Sequence, residues 1–168
     1  MAHVPTAKRL ELVAASVTGV EMPVFDEVAE YVRALLPDEY GDVRIRSHRR
    51  GVKIWFGPEK AAKEHYEAQL LARRHVDGKP GMAVEIGFHS EYPKREQNEE
   101  VVSGLEQKES KWRKALGPDA EAGIFFGSDN WTRLSEAWLD FDESDPDFSF
   151  EVASRTVDYV TAIEPLRS

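Results

Sequence analysis

Residues 43–56 read Val43-Arg44-Ile45-Arg46-Ser47-His48-Arg49-Arg50-Gly51-Val52-Lys53-Ile54-Trp55-Phe56, and the fold follows from how this stretch is read. Apolar and polar side chains alternate on both sides of Arg49-Arg50-Gly51, the pattern of two half-buried strands joined by a tight turn. So short a connection makes the two strands antiparallel, because parallel neighbours need a long crossover.

Upstream, Val24, Val28, Tyr31, Val32 and Leu35 recur at helical spacing before Pro37, which predicts a helix over 24–36. In the first twenty residues, Leu10, Leu12, Val13, Val17 and Val20 fit a short helix and an N-terminal strand equally well. Downstream, Pro58-Glu59 opens a predicted helix with Ala62, Tyr66 and Leu70 on one stripe, ending at the loop-forming run Asp77-Gly78-Lys79-Pro80-Gly81. Next comes a strand with Met82, Val84, Ile86 and Phe88 on one face and Ala83, Glu85, Gly87, His89 and Glu91 on the other.

Tyr92-Pro93 starts a long charged helix that buries Val101, Leu105, Trp112 and Leu116 and stops at Gly117-Pro118. Gly123 to Gly127 is a short apolar strand, and Ser128-Asp129-Asn130 is a turn. The segment from Trp131 to Leu139 suits a helix or a hairpin strand, and the tight turn before it favours the strand. Asp140 to Asp147 is an acidic loop, followed by a helix built on Val152, Thr156, Tyr159, Val160 and Ile163 and ended by Pro165.

The order α-β-β-α-β-α-β-β-α is an α+β layout: a single mixed, largely antiparallel sheet of four to five strands with helices packed on it, in one domain over 1–168. Cysteine is absent. That excludes disulfide scaffolds, thiolate metal sites, iron–sulfur clusters and thiol nucleophiles, and leaves only His and carboxylate side chains for a metal. Charged residues interrupt every apolar run, so no membrane span is expected. Residues 1–15 lack the apolar core of a secretion signal, and the expected location is the cytoplasm.

The formal charge of −9 is unevenly spread. Residues 1–40 carry −4, residues 41–80 carry +5 and residues 81–168 carry −10. The basic segment contains the hairpin, whose Arg44, Arg46, His48, Arg50, Lys53 and Trp55 are candidate ligand-binding residues. Guanidinium groups beside an aromatic ring suit phosphates and stacked bases. The same residues also suit an ordinary solvated sheet face, and the overall negative charge opposes non-specific DNA binding.

His65, Glu85, His89 and Glu91 are candidate metal ligands, with Glu67 beside His65 on the predicted helix. Strand positions four apart lie about 13 Å apart, so Glu85 and His89 do not share an ion directly; His89 and Glu91, about 7 Å apart, do so with a partner from elsewhere. His65-Tyr66-Glu67 matches the H-x-E half of a zinc deaminase, but the P-C-x-x-C half is missing. Asp140, Asp142, Ser144 and Glu151 fall on EF-hand calcium positions, yet Asp145 stands where that loop needs Gly. Helix initiation explains the same acidic residues.

No G-x-S-x-G elbow and no Walker loop occurs. The expected function is therefore that of a binding module for an anionic partner: a nucleic acid, a phosphorylated ligand or an acidic protein surface. A metal-dependent hydrolase and a protein-interaction or homo-oligomer subunit are the alternatives. No cofactor is called for beyond a divalent metal ion.

Overall fold

The computed structural model describes residues 22–57 and 62–167. Its sheet has six strands: β1 (Val43–His48), β2 (Gly51–Phe56), β3 (Glu64–Ala72), β4 (Met82–Ser90), β5 (Glu121–Ile124) and β6 (Thr132–Trp138). Their order is β1-β2-β3-β4-β6-β5, and every neighbouring pair is antiparallel. The helices are α1 (Val24–Leu35), α2 (Arg95–Glu106), α3 (Glu109–Leu116) and α4 (Phe148–Ile163).

The predicted hairpin is present as β1 and β2, with Arg44 opposite Trp55 and Arg46 opposite Lys53. The predicted helix over 24–36 is α1, which buries Phe25, Val28, Tyr31 and Val32. The segment after Asn130 is strand β6, and the C-terminal helix is α4. The alternative readings of residues 1–20, and the helix start at Pro58-Glu59, lie outside the described residues.

One element is of the other type. Residues 64–72 form strand β3 where the spacing of Ala62, Tyr66 and Leu70 predicts a helix. A spacing of four is even, so it keeps side chains on one face of a strand as well as on one stripe of a helix. Neighbours on both sides decide between the two. β3 pairs with β2 from Gly51↔Gln69 to Ile54↔Tyr66, and with β4 along its whole length, from Glu64↔Ser90 to Ala72↔Met82. Tertiary pairing overrides the helix preference of Ala, Glu, Gln and Leu, and the sheet gains its sixth strand.

The long charged helix is divided at Gln107-Lys108 into α2 and α3. At the break the Leu105 carbonyl accepts from the Lys108 amide at 2.9 Å and from Trp112 Nε1–H at 2.8 Å. The indole thereby takes up a backbone acceptor in the last turn of α2.

One sheet face carries the apolar core, in which Ile54, Tyr66, Phe88, Leu134, Trp112, Val152, Val160 and Ile163 pack together. At roughly 1.5–3 kcal/mol per buried large apolar side chain, this face supplies the main stabilisation. Alternation sends His65, Glu67, Gln69, Glu85, His89, Arg133 and Ser135 to the opposite face. That face is polar, yet His65, Glu67, Glu85, His89, Arg133 and Ser135 are all buried.

Candidate metal centre

The polar face is built from two copies of one short pattern. His65-Tyr66-Glu67 lies on β3, and His89-Ser90-Glu91 runs off the end of β4. On a strand, residues i and i+2 share a face. His65 stands directly opposite His89, and Glu67 opposite Gly87. The Glu91 amide donates to the Lys63 carbonyl at 2.8 Å, which places Glu91 one row beyond the histidines on the other side. An approximate two-fold through the histidine pair therefore relates the two patterns, with one carboxylate at each end.

The four side chains converge: one ligand atom from each of His65, Glu67, His89 and Glu91 lies within 4.8 Å of the other three. His65 Nε2 is 3.5 Å from Glu91 Oε1. His89 Nδ1 is 3.5 Å from Glu67 Oε2 and 3.7 Å from Glu91 Oε1. Neighbouring donors around a four-coordinate ion, each about 2.0–2.2 Å from the metal, stand about 3.3–3.6 Å apart. These three pairs have about that spacing, and the remaining pairs of the four lie within 4.8 Å.

The outer nitrogens define the tautomers. His65 Nδ1 faces the Ala62 carbonyl at 3.1 Å, and His89 Nε2 faces the Glu85 carboxylate at 2.9 and 2.7 Å. A carbonyl and a carboxylate only accept, so these nitrogens carry the protons and donate. In the neutral rings the lone pairs then sit on His65 Nε2 and His89 Nδ1, the two atoms aimed into the cluster. Both are buried with no hydrogen-bond partner among the described residues, a condition that is costly inside a protein. A metal ion would relieve it, as a proton does for His89 in the metal-free cluster, and an acceptor on the far nitrogen is the outer support that metal-binding histidines usually have.

Of the candidate ligands, His65, His89 and Glu91 come together, joined by Glu67. Glu85 is not one of the four: its carboxylate holds the far side of the His89 ring. It reaches across Gly87, where a side chain is excluded, because a Cβ would fall 2.3 Å from the Leu134 carbonyl oxygen and 2.4 Å from Ser135 Cβ. Gln69 Nε2–H donates to Glu85 as well, at 3.1 Å.

Burial works against a charged His89, but the carboxylates of Glu85 and Glu67 outweigh it and raise its pKa to about 10. Burial likewise pushes the Glu67 carboxyl up, and contact with His89, aided by His65 and Lys53, brings it below the ordinary value. Glu91 is lowered in the same way, chiefly by His65. Without a metal the cluster thus holds the His89 imidazolium among carboxylates.

Aromatic side chains close over it. The Phe125 ring meets His89 edge-on, with centroids 4.8 Å apart, and Arg133 lies over Phe126 at 3.7 Å. Gly127, at φ 73°, leaves room for the His75 ring, which a Cβ there would meet at 2.8 Å. The segment after β5 and the turn after β3 therefore touch. A cleft of about 770 Å³ lies on the other, helical side of the sheet. Its lining includes Phe56, Glu64, Lys108 and Arg167 but none of the four donors.

The hairpin residues share the polar face with the centre, since Arg44 pairs with Trp55, Arg46 with Lys53 and His48 with Gly51. Arg44, Arg46, His48 and Arg50 are exposed. Arg44 Nε–H donates to the Gly57 carbonyl at 2.8 Å, and Lys53 Nζ is 4.0 Å from Glu67 Oε1. Trp55 is only 6% exposed, so its ring is a packed anchor and offers no open face for stacking. In the acidic loop, Asp142 accepts from the Ser144 amide and hydroxyl, at 2.9 and 2.6 Å. The segment before that loop is a strand, whereas an EF-hand has a helix there.

Glu67 is the donor that sequence reasoning placed beside His65 without making it a ligand. On a helix, positions 65 and 67 point about 200° apart; on a strand they point together. The repeated His-x-Glu spacing was the available signal. No protein-family model matches the chain, and no curated protein or solved structure matches it either.

Proposed function

We propose that this protein binds a divalent transition-metal ion through His65 Nε2, Glu67, His89 Nδ1 and Glu91. The observation that carries the reading is the convergence of two buried imidazole nitrogens that make no hydrogen bond among the described residues on two carboxylates 3.5–3.7 Å away, each ring backed by an acceptor on its far side. Two neutral imidazoles and two carboxylates balance a +2 ion. Nitrogen and oxygen donors at this spacing suit Zn²⁺ foremost, with Co²⁺, Mn²⁺ and Fe²⁺ as related ions. Four protein donors is the number found in closed centres, one more than catalytic zinc usually has. This favours an ion that is retained over one that activates water.

The test is calorimetric titration of chelator-treated protein with Zn²⁺ and Mn²⁺, alongside melting curves. One ion per chain is expected, and at a hundredfold excess over Kd the ion adds about 2.7 kcal/mol of stability. Glu91→Gln, at the more exposed edge, and His65→Asn should each abolish that gain. No saturable binding, or binding unchanged in both variants, overturns the reading.

A further inference from the structure

We propose that the metal-loaded centre takes a phosphate-type oxyanion, held beside the ion by Lys53 and Arg46. This rests on the metal-binding reading above and adds the class of ligand.

Arg46, Lys53 and Glu67 occupy one row across β1, β2 and β3, so the two cations lie on adjacent strands about 4.8 Å apart. Exposure shows where the centre faces solvent. The His65 and His89 side chains are fully enclosed, whereas Glu91 is 18% and Lys53 29% exposed, and Arg46 is open. Lys53 and Arg46 are thus the solvent-reaching members of the Glu67 row, at one end of the cluster, with Glu91 at the other.

Metal loading changes what Lys53 is paired with. In the cluster alone, its ammonium lies 4.0 Å from Glu67 Oε1. A divalent ion takes the charge of both carboxylates, so it cancels the Glu67 charge that faces Lys53. Among the described residues, what remains in these rows of β2–β4 is Glu85, already engaged with His89, against Lys53, with Arg46 beside it on β1. The loaded face is net positive, and a neighbouring ammonium and guanidinium are well matched to the oxygens of one tetrahedral anion. With Trp55 enclosed, the basic hairpin itself presents no open ring for base stacking, so what it recognises is the phosphate-type group.

The experiment uses Co²⁺-loaded full-length protein and inorganic phosphate, following paramagnetic relaxation of the ³¹P signal, with cobalt uptake measured separately by equilibrium dialysis. Saturable relaxation is expected, abolished by chelation. Lys53→Met and the exposed Arg46→Met should each weaken phosphate binding about tenfold or more, the loss expected for one charge-assisted contact, while cobalt uptake stays at one ion per chain. Unsaturable relaxation, or equal phosphate binding in both variants, overturns the inference and leaves the metal reading standing if cobalt is bound. Absence of cobalt uptake overturns both.

Discussion

Replacing Gly87 with alanine adds one methyl group at the position where the sheet has no space for it. The new Cβ would lie 2.3 Å from the Leu134 carbonyl oxygen, 2.4 Å from Ser135 Cβ and 2.5 Å from Ser135 Cα. Ordinary contacts begin about 1 Å farther out, and two of these three neighbours are backbone atoms of β6, which cannot swing aside as a side-chain tip can. Strand β6 must move by about 1 Å or β4 must bend. Overpacking of this kind costs about 3 kcal/mol at the upper end of its usual range, a large part of a domain's typical net stability of about 5–15 kcal/mol. For a chain of this size that corresponds to a fall in Tm of about 6–12 °C. Gly104→Ala is the control: nothing lies within 4 Å of its added Cβ, it sits inside α2, and it should stabilise by about 0.5–1 kcal/mol. Thermal and urea denaturation of both variants, without metal, make the comparison. A Gly87→Ala protein melting within about 2 °C of the parent would refute the claim that close β4–β6 approach shapes this face.

Two further outcomes follow from the geometry around His89. Glu85→Gln keeps an acceptor on His89 Nε2 but removes the carboxylate, so metal affinity measured by calorimetry should fall about 10–100-fold; a complete loss would instead make Glu85 a ligand. The raised pKa of His89, about 10, gives a pH dependence of definite sign. In metal-free protein its stabilising charge is fully present below the unfolded value near 6.5 and is lost as pH rises through about 10. A metal must displace that same proton, so apparent affinity should rise about tenfold per pH unit below that point. Titrations at pH 6, 7 and 8, in buffers of different ionisation enthalpy, read both the slope and the proton released.

Much of the architecture was legible because alternation is a direct print of a two-faced strand. Val43 to Phe56 and Met82 to Glu91 show it plainly, and both are strands. Residues 64–72 show it too, with Tyr66, Ala68 and Leu70 inward and His65, Glu67 and Gln69 outward. There, however, it competed with a composition rich in helix formers and with a proline-led start. Only the pairing of β3 between β2 and β4 settles the matter, and such long-range pairing has no local signature. The site was half visible for the same reason. His89 and Glu91 read as neighbours on one strand, while His65 and Glu67 lay on a segment read as a helix, which turned Glu67 away from His65. Glu85 has the residue type and strand face of the candidate ligands, but its carboxylate lies behind the His89 ring. Its role behind His89 depends on two side chains bending together over Gly87, which no spacing rule encodes.

The most direct test of the central claim is X-ray absorption at the zinc edge on protein loaded with one Zn²⁺ per chain. The account predicts a first shell of nitrogen and oxygen only, at about 2.0–2.1 Å, with four donors and the outer-shell scattering of two imidazole rings. A six-oxygen shell, or a spectrum without imidazole scattering, would contradict it.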